Sequence, residues 1–166
     1  MRYHDRVEAG QRLAGNLMGC AARTDVLVLG LPRGGVPVAA EVARATLDRV
    51  AAGERTALED RARLYRGARS QPDVAGRTVI LVDDGLATGA TMEAAVAALR
   101  TQSPARIVVA APVGSREACA CLARRADTVV CPLQPEPFDA VGLWYDDFRR
   151  TTDADVRAYL GDAPRS

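Results

Sequence analysis

Apolar positions along the chain fall into two rhythms. Residues 26–29, 79–82, 107–111 and 128–131 are short, nearly continuous apolar runs bounded by Gly, Pro or Asp. Runs of that length and composition read as strands buried on both faces of a parallel sheet. Between them, apolar residues recur at three- and four-residue spacing, the period of an amphipathic helix. Residues 5–18 carry Val7, Ala14, Leu17 and Met18. A second helix runs through Val38 and Val42 towards Val50, and a third through Met92, Val96 and Leu99. Residues 116–125 and a short segment reaching Tyr159 and Leu160 complete the set. Start signals agree with this reading. Asp5 is followed by Glu8 three residues on, as in a capping box. Ser115 stands ready to cap the helix at 116, and Thr152 or Asp153 the last one. Strands alternating with helices predict an α/β fold, a parallel sheet flanked by helices.

Two strands end in the same kind of loop. After residues 79–82 come Asp83 and Asp84, then the small-residue stretch Gly85, Leu86, Ala87, Thr88, Gly89, Ala90 and Thr91, inside which a helix begins. The first amides of a helix lack intrahelical partners, and its dipole favours negative charge there, so such a turn is an anion site. Two carboxylates beside it suit a ligand that also carries hydroxyls or a divalent cation. After residues 26–29 the chain reads Gly30, Leu31, Pro32, Arg33, Gly34, Gly35, Val36, Pro37. Gly34 and Gly35 let backbone amides approach a ligand, and Arg33 offers a charge-assisted contact to phosphate. The spacing is not that of a dinucleotide-binding glycine motif. Both loops fall at the carboxyl ends of strands, where open α/β sheets bind ligands.

Composition removes several alternatives. With 166 residues the chain is long enough for one domain with a real core, read here as a core over 5–131 and a C-terminal segment over 132–160. A net charge of +1 gives no electrostatic case for nucleic acid or an acidic membrane. All 22 basic residues are arginine, so neither a Walker-type phosphate loop nor lysine Schiff-base chemistry is available. Cys20, Cys119, Cys121 and Cys131 form no C-x-x-C pair, and His4 is the sole histidine, which argues against zinc. There is no G-x-S-x-G elbow. His4 and Arg6 read as surface groups, as do Arg61, Arg63, Arg66 and Arg69. With no leader-like segment and no apolar run near ~18 residues, the expectation is a cytoplasmic protein without a membrane partner.

The stretch from Val79 to Thr91 resembles the signature of the type I phosphoribosyltransferases: four apolar residues, two acids, then a small-residue loop with Thr-Gly. The resemblance implies that Asp83 and Asp84 are the catalytic-site acids. They would anchor the ribose hydroxyls of phosphoribosyl pyrophosphate (PRPP) and, directly or through water, Mg²⁺. It assigns the 5′-phosphate to Gly85, Ala87, Thr88, Gly89, Ala90 and Thr91. The loop of Leu31, Pro32, Arg33, Gly34 and Gly35 resembles the family's pyrophosphate loop, which implies a cis Pro32–Arg33 peptide. The aromatic C-terminal segment is similar to a purine-type hood, giving a base-binding role to Phe138, Val141, Trp144 and Asp146. The implied reaction transfers the phosphoribosyl group of PRPP to a nitrogenous, purine-like base with release of pyrophosphate. Implied partners are PRPP, a small-molecule base and a second copy of the chain. Two departures stand out. The family's closing hairpin has no counterpart between Val38 and Asp73, where residues 54–65 read as helix. Ala87 stands where purine-specific members often carry an acid. A PRPP- or nucleotide-binding regulatory protein with little catalysis is the alternative on the same scaffold.

Overall fold

The computed structural model describes residues 1–21, 25–49 and 73–161. Among the described residues four strands form one sheet: β1 (Val26–Gly30), β2 (Thr78–Val82), β3 (Arg106–Ala110) and β4 (Thr128–Val130). They lie in the order β1-β2-β3-β4, all parallel, with Val28 opposite Ile80, Ile80 opposite Val108 and Val108 opposite Thr128. The apolar runs are therefore the strands of the sheet, shifted from the sequence reading by a residue or two at their ends.

Alternation along each strand sorts its side chains onto two cores. Leu27, Leu29, Val79, Leu81, Ile107 and Val109 face one side. There they meet Met92, Val96 and Leu99 of α4 (Ala90–Arg100) and Ala118, Cys119 and Leu122 of α5 (Arg116–Ala123). Val26, Val28, Ile80, Val82, Val108 and Ala110 face the other. Their partners are Leu13, Ala14 and Leu17 from α1 (Arg6–Asn16) and its end, and Val38, Ala39, Val42 and Ala43 of α3 (Gly35–Arg49). A short α2 (Met18–Ala21) follows α1, and α6 (Asp153–Gly161) packs Val156 and Leu160 on Val36.

The caps form as the sequence predicts. Asp5 accepts the Glu8 amide at 2.9 Å, and Ser115 Oγ accepts that of Ala118 at 3.1 Å. Thr152, not Asp153, caps α6: its hydroxyl accepts the Asp155 amide while Asp155 accepts the Thr152 amide, a reciprocal box. One face needs correcting. The buried stripe of α1 is Ala9, Gly10, Leu13 and Ala14, whereas Val7 and Met18 are only half-buried. Small residues let α1 lie close on α3, and that close contact outranks the larger apolar side chains in setting the helix rotation.

The C-terminal segment is tied to the start of the chain. The Tyr3 amide donates to the Trp144 carbonyl, and the Tyr3 and His4 carbonyls accept from the Asp146 and Asp147 amides. Tyr3, Ala9, Val113 and Tyr145 form a third apolar cluster, with Leu133, Phe138, Val141 and Trp144 against it. The expected absence of a closing hairpin, the helix at 54–65 and Arg61, Arg63, Arg66 and Arg69 lie mostly or wholly at residues 50–72, outside the described residues. Among the described residues no helix is long and apolar enough to cross a membrane.

Candidate active site

The loop after β2 is held by its neighbours on the β3 side. The Asp83 amide donates to the Ala110 carbonyl, the Leu86 amide to Val113, and the Ser115 amide to Leu86. Ser115 Oγ also donates to the Ala87 carbonyl at 2.7 Å, so one hydroxyl caps α5 and pins the loop. Gly89 is the N-cap of α4 at φ +79°, a left-handed conformation that favours glycine. The start of α4 borders a cavity of about 180 Å³ lined by Asp83, residues 85–92 and Val141. The six residues expected to hold a phosphate are together there, and the methyls of Val141 stand over Gly85.

The loop after β1 packs directly against the two acids. The Leu31 amide donates to the Val82 carbonyl at 2.8 Å, and the Gly35 amide to Leu31 at 2.9 Å. The Pro32–Arg33 peptide is cis. A Cβ on Gly34 would run into the Asp84 carboxylate, and one on Gly35 would meet the Val82 carbonyl at 2.5 Å and Asp83 Cα at 3.0 Å. The paired glycines are what bring the two loops into contact. Arg33, half-buried, pairs with Asp153 at the start of α6 at 3.3 Å.

The acids differ in environment. Asp83 Oδ1 accepts the Asp84 amide at 2.9 Å, yet burial, and then the charge of Asp84, push its carboxyl up to about 7. Asp84 Oδ2 is paired with Arg6 Nε at 2.9 Å, with both side chains largely covered, 14% and 12% exposed. Arg6 is therefore no surface group. It also donates to the Arg149 carbonyl and lies 4.1 Å over the Phe148 ring. Tyr145 donates its hydroxyl to the Asp84 carbonyl at 2.6 Å; burial and the Asp84 charge raise its pKa, keeping it a neutral donor. Sequence reading missed Arg6 and Tyr145. The signals that could have found them are a charged residue one step past a helix cap and a tyrosine within the aromatic cluster, both weak alone.

Of the expected base-binding residues, Val141 reaches the cavity. Phe138 and Trp144 pack half-buried against the Tyr3 cluster, the Trp144 indole N–H finds no hydrogen-bond partner among the described residues, and Asp146 is exposed. Among the described residues no three His, Cys, Asp or Glu side chains gather as a metal cluster.

The raised value for Asp83 has a consequence for stability. The folded protein keeps this proton to about pH 7, while the unfolded chain releases it near ~4. Between those values the folded state binds more protons, so Asp83's contribution is full in acid and is lost as pH rises through 7. Urea unfolding of the ligand-free protein from about pH 4 to 8 should show Asp83→Asn gaining on wild type as pH rises. A constant difference would contradict the assignment.

Comparison with known proteins agrees with this geometry. A family model described as a phosphoribosyl transferase domain matches residues 2–139. A Mycobacterium tuberculosis protein provisionally named a phosphoribosyl transferase is 33% identical over 210 residues, spanning 98% of this chain and 47% of the relative. The chain thus spans about half the length of the curated relatives it matches. The aligned span exceeds the 166 residues of this chain, so those relatives carry residues within it that this chain lacks. The crystal structure of TT1426 from Thermus thermophilus superposes with a TM-score of 0.79 at 38% identity, covering 98% of this chain and 99% of that one. A purine phosphoribosyltransferase from Pyrococcus horikoshii shares the fold, with a TM-score of 0.51 at 20% identity over 81% of this chain and 93% of that one.

Proposed function

The chain belongs to the phosphoribosyl transferase family, and from that premise we propose that it binds PRPP and passes the phosphoribosyl group to a nitrogenous base, releasing pyrophosphate. The carrying observation is the direct packing of two anion-type loops at the carboxyl ends of neighbouring strands, with the acid pair between them. That order suits a ligand with a phosphate at one end, a diol in the middle and a pyrophosphate at the other. The amides at the start of α4 and Thr88 take the 5′-phosphate, and Asp83 and Asp84 take the ribose hydroxyls. The Gly34 and Gly35 amides with Arg33 take the pyrophosphate. Asp153 gives way readily there, because an exposed ion pair is worth little.

Catalysis on this scaffold is positioning plus charge stabilisation. The nucleophile attacks ribose C1 as the C1–oxygen bond to pyrophosphate breaks, and Arg33 and the loop amides receive the charge that develops on the departing oxygens. Two neighbouring carboxylates suit Mg²⁺, which is commonly bound by one or two carboxylates together with substrate phosphates. Asp83 and Asp84 would hold it, and when bound it neutralises leaving-group charge.

A regulatory PRPP-binding protein is the second reading, favoured by Ala87, which leaves the loop without a carboxylate to accept the nucleophile's proton. Pyrophosphate release from PRPP and Mg²⁺ against a panel of purine and pyrimidine bases separates the two. Base-dependent release supports transfer. Tight PRPP binding without release under any base supports the regulatory reading.

A further inference from the structure

We infer that Arg6 is a positioning residue of the ribose site, fixing which oxygen of Asp84 faces the ligand. The inference rests on the PRPP reading above and adds to it a group from the opposite end of the chain. Arg6 is the first residue of α1, placed by the Asp5 cap. Its guanidinium is held on three sides: Nε on Asp84 Oδ2 at 2.9 Å, Nη1 on the Arg149 carbonyl at 2.6 Å, and its face over Phe148 at 4.1 Å. The planar fork of arginine suits such a multi-point hold, and stacking on an aromatic ring adds to it.

The consequence falls on Asp84. Oδ2 is committed to Arg6 and lies against Gly34, where a Cβ would overlap it. With Oδ2 committed to Arg6, Oδ1 is the oxygen left for a ribose hydroxyl. The backbone of the same residue is held by the Tyr145 hydroxyl on its carbonyl. Asp84 thus has its main chain held from the C-terminal segment and its side chain held from the N-terminal helix. Phe148 and Arg149 support Arg6 from behind. A carboxylate fixed in this way binds a diol without first giving up its own rotational freedom.

A double-mutant cycle on the full chain tests this, reading PRPP affinity with Mg²⁺ by calorimetry and the unfolding midpoint without ligand. Arg6→Gln should weaken PRPP binding about tenfold or more, with Arg6→Lys recovering part of the loss and Phe148→Leu losing part of it. In the Asp84→Asn background Arg6→Gln should cost little more, because the carboxylate it orients is gone. Wild-type affinity in Arg6→Gln, or equal losses in both backgrounds, overturns the inference while leaving PRPP binding intact. A wild-type chain that binds no PRPP overturns the earlier reading instead. Non-additive midpoints would then still establish the Arg6–Asp84 coupling, and additive midpoints would remove it.

Discussion

Replacing Asp84 with asparagine is expected to weaken PRPP binding by about one to two orders of magnitude and to lower the unfolding temperature. A hydrogen bond from a hydroxyl to a charged acceptor contributes about 1.5–3 kcal/mol, which is about ten- to a hundredfold in affinity. The stability loss has a separate cause. Arg6 is 12% exposed and loses its counter-charge, and a covered charge without a partner costs more than the pair contributes. Calorimetry and thermal unfolding read the two effects independently. Unchanged affinity in Asp84→Asn would remove the ribose assignment, whatever happened to the melting temperature.

Gly35→Ala should be the most damaging change in the loop after β1. The new methyl would stand 2.5 Å from the Val82 carbonyl and 3.0 Å from Asp83 Cα. Neither can retreat cheaply: Val82 ends a central strand, and its carbonyl already accepts the Leu31 amide at 2.8 Å. Overpacking against fixed backbone costs about 1–3 kcal/mol, and here the natural relief is to push the loop off the acids. The expected result is a lower urea midpoint together with loss of PRPP affinity. Gly15→Ala is the control. It lies at an exposed position of α1 with nothing within 4 Å of a new Cβ, so it should be neutral or stabilise by up to about 1 kcal/mol. Equal behaviour of the two variants would show that the contact between the loops is not what Gly35 provides.

The features legible in sequence are those a local pattern determines. Four apolar runs fit the strands of a parallel sheet, the first three buried and β4 half-buried at the sheet edge, and both glycine loops followed from them. Asp5 with Glu8 and Ser115 marked helix starts that the structure reproduces. The less legible features depend on what meets across the fold. Arg6 and Asp84 lie 78 residues apart, and nothing about Asp-Arg after a histidine says that the arginine turns inward. Tyr145 is one aromatic among several until the fold places its hydroxyl on the Asp84 carbonyl. Trp144 and Phe138 read equally as ring-stacking groups and as core filler. The structure packs both against the Tyr3 cluster and leaves Val141 facing the loop after β2. The α1 face misleads because side-chain size counts for less there than closeness: Ala9, Gly10 and Ala14 bury because they are small.

The two loops should act as one site for one ligand. Titrating the wild-type chain with PRPP in the presence of Mg²⁺, and separately with ribose 5-phosphate and with pyrophosphate, tests it most directly. One PRPP should bind per chain, more tightly than either fragment, with each fragment competing against PRPP. Binding of PRPP no tighter than pyrophosphate alone, or failure of ribose 5-phosphate to compete, would contradict it.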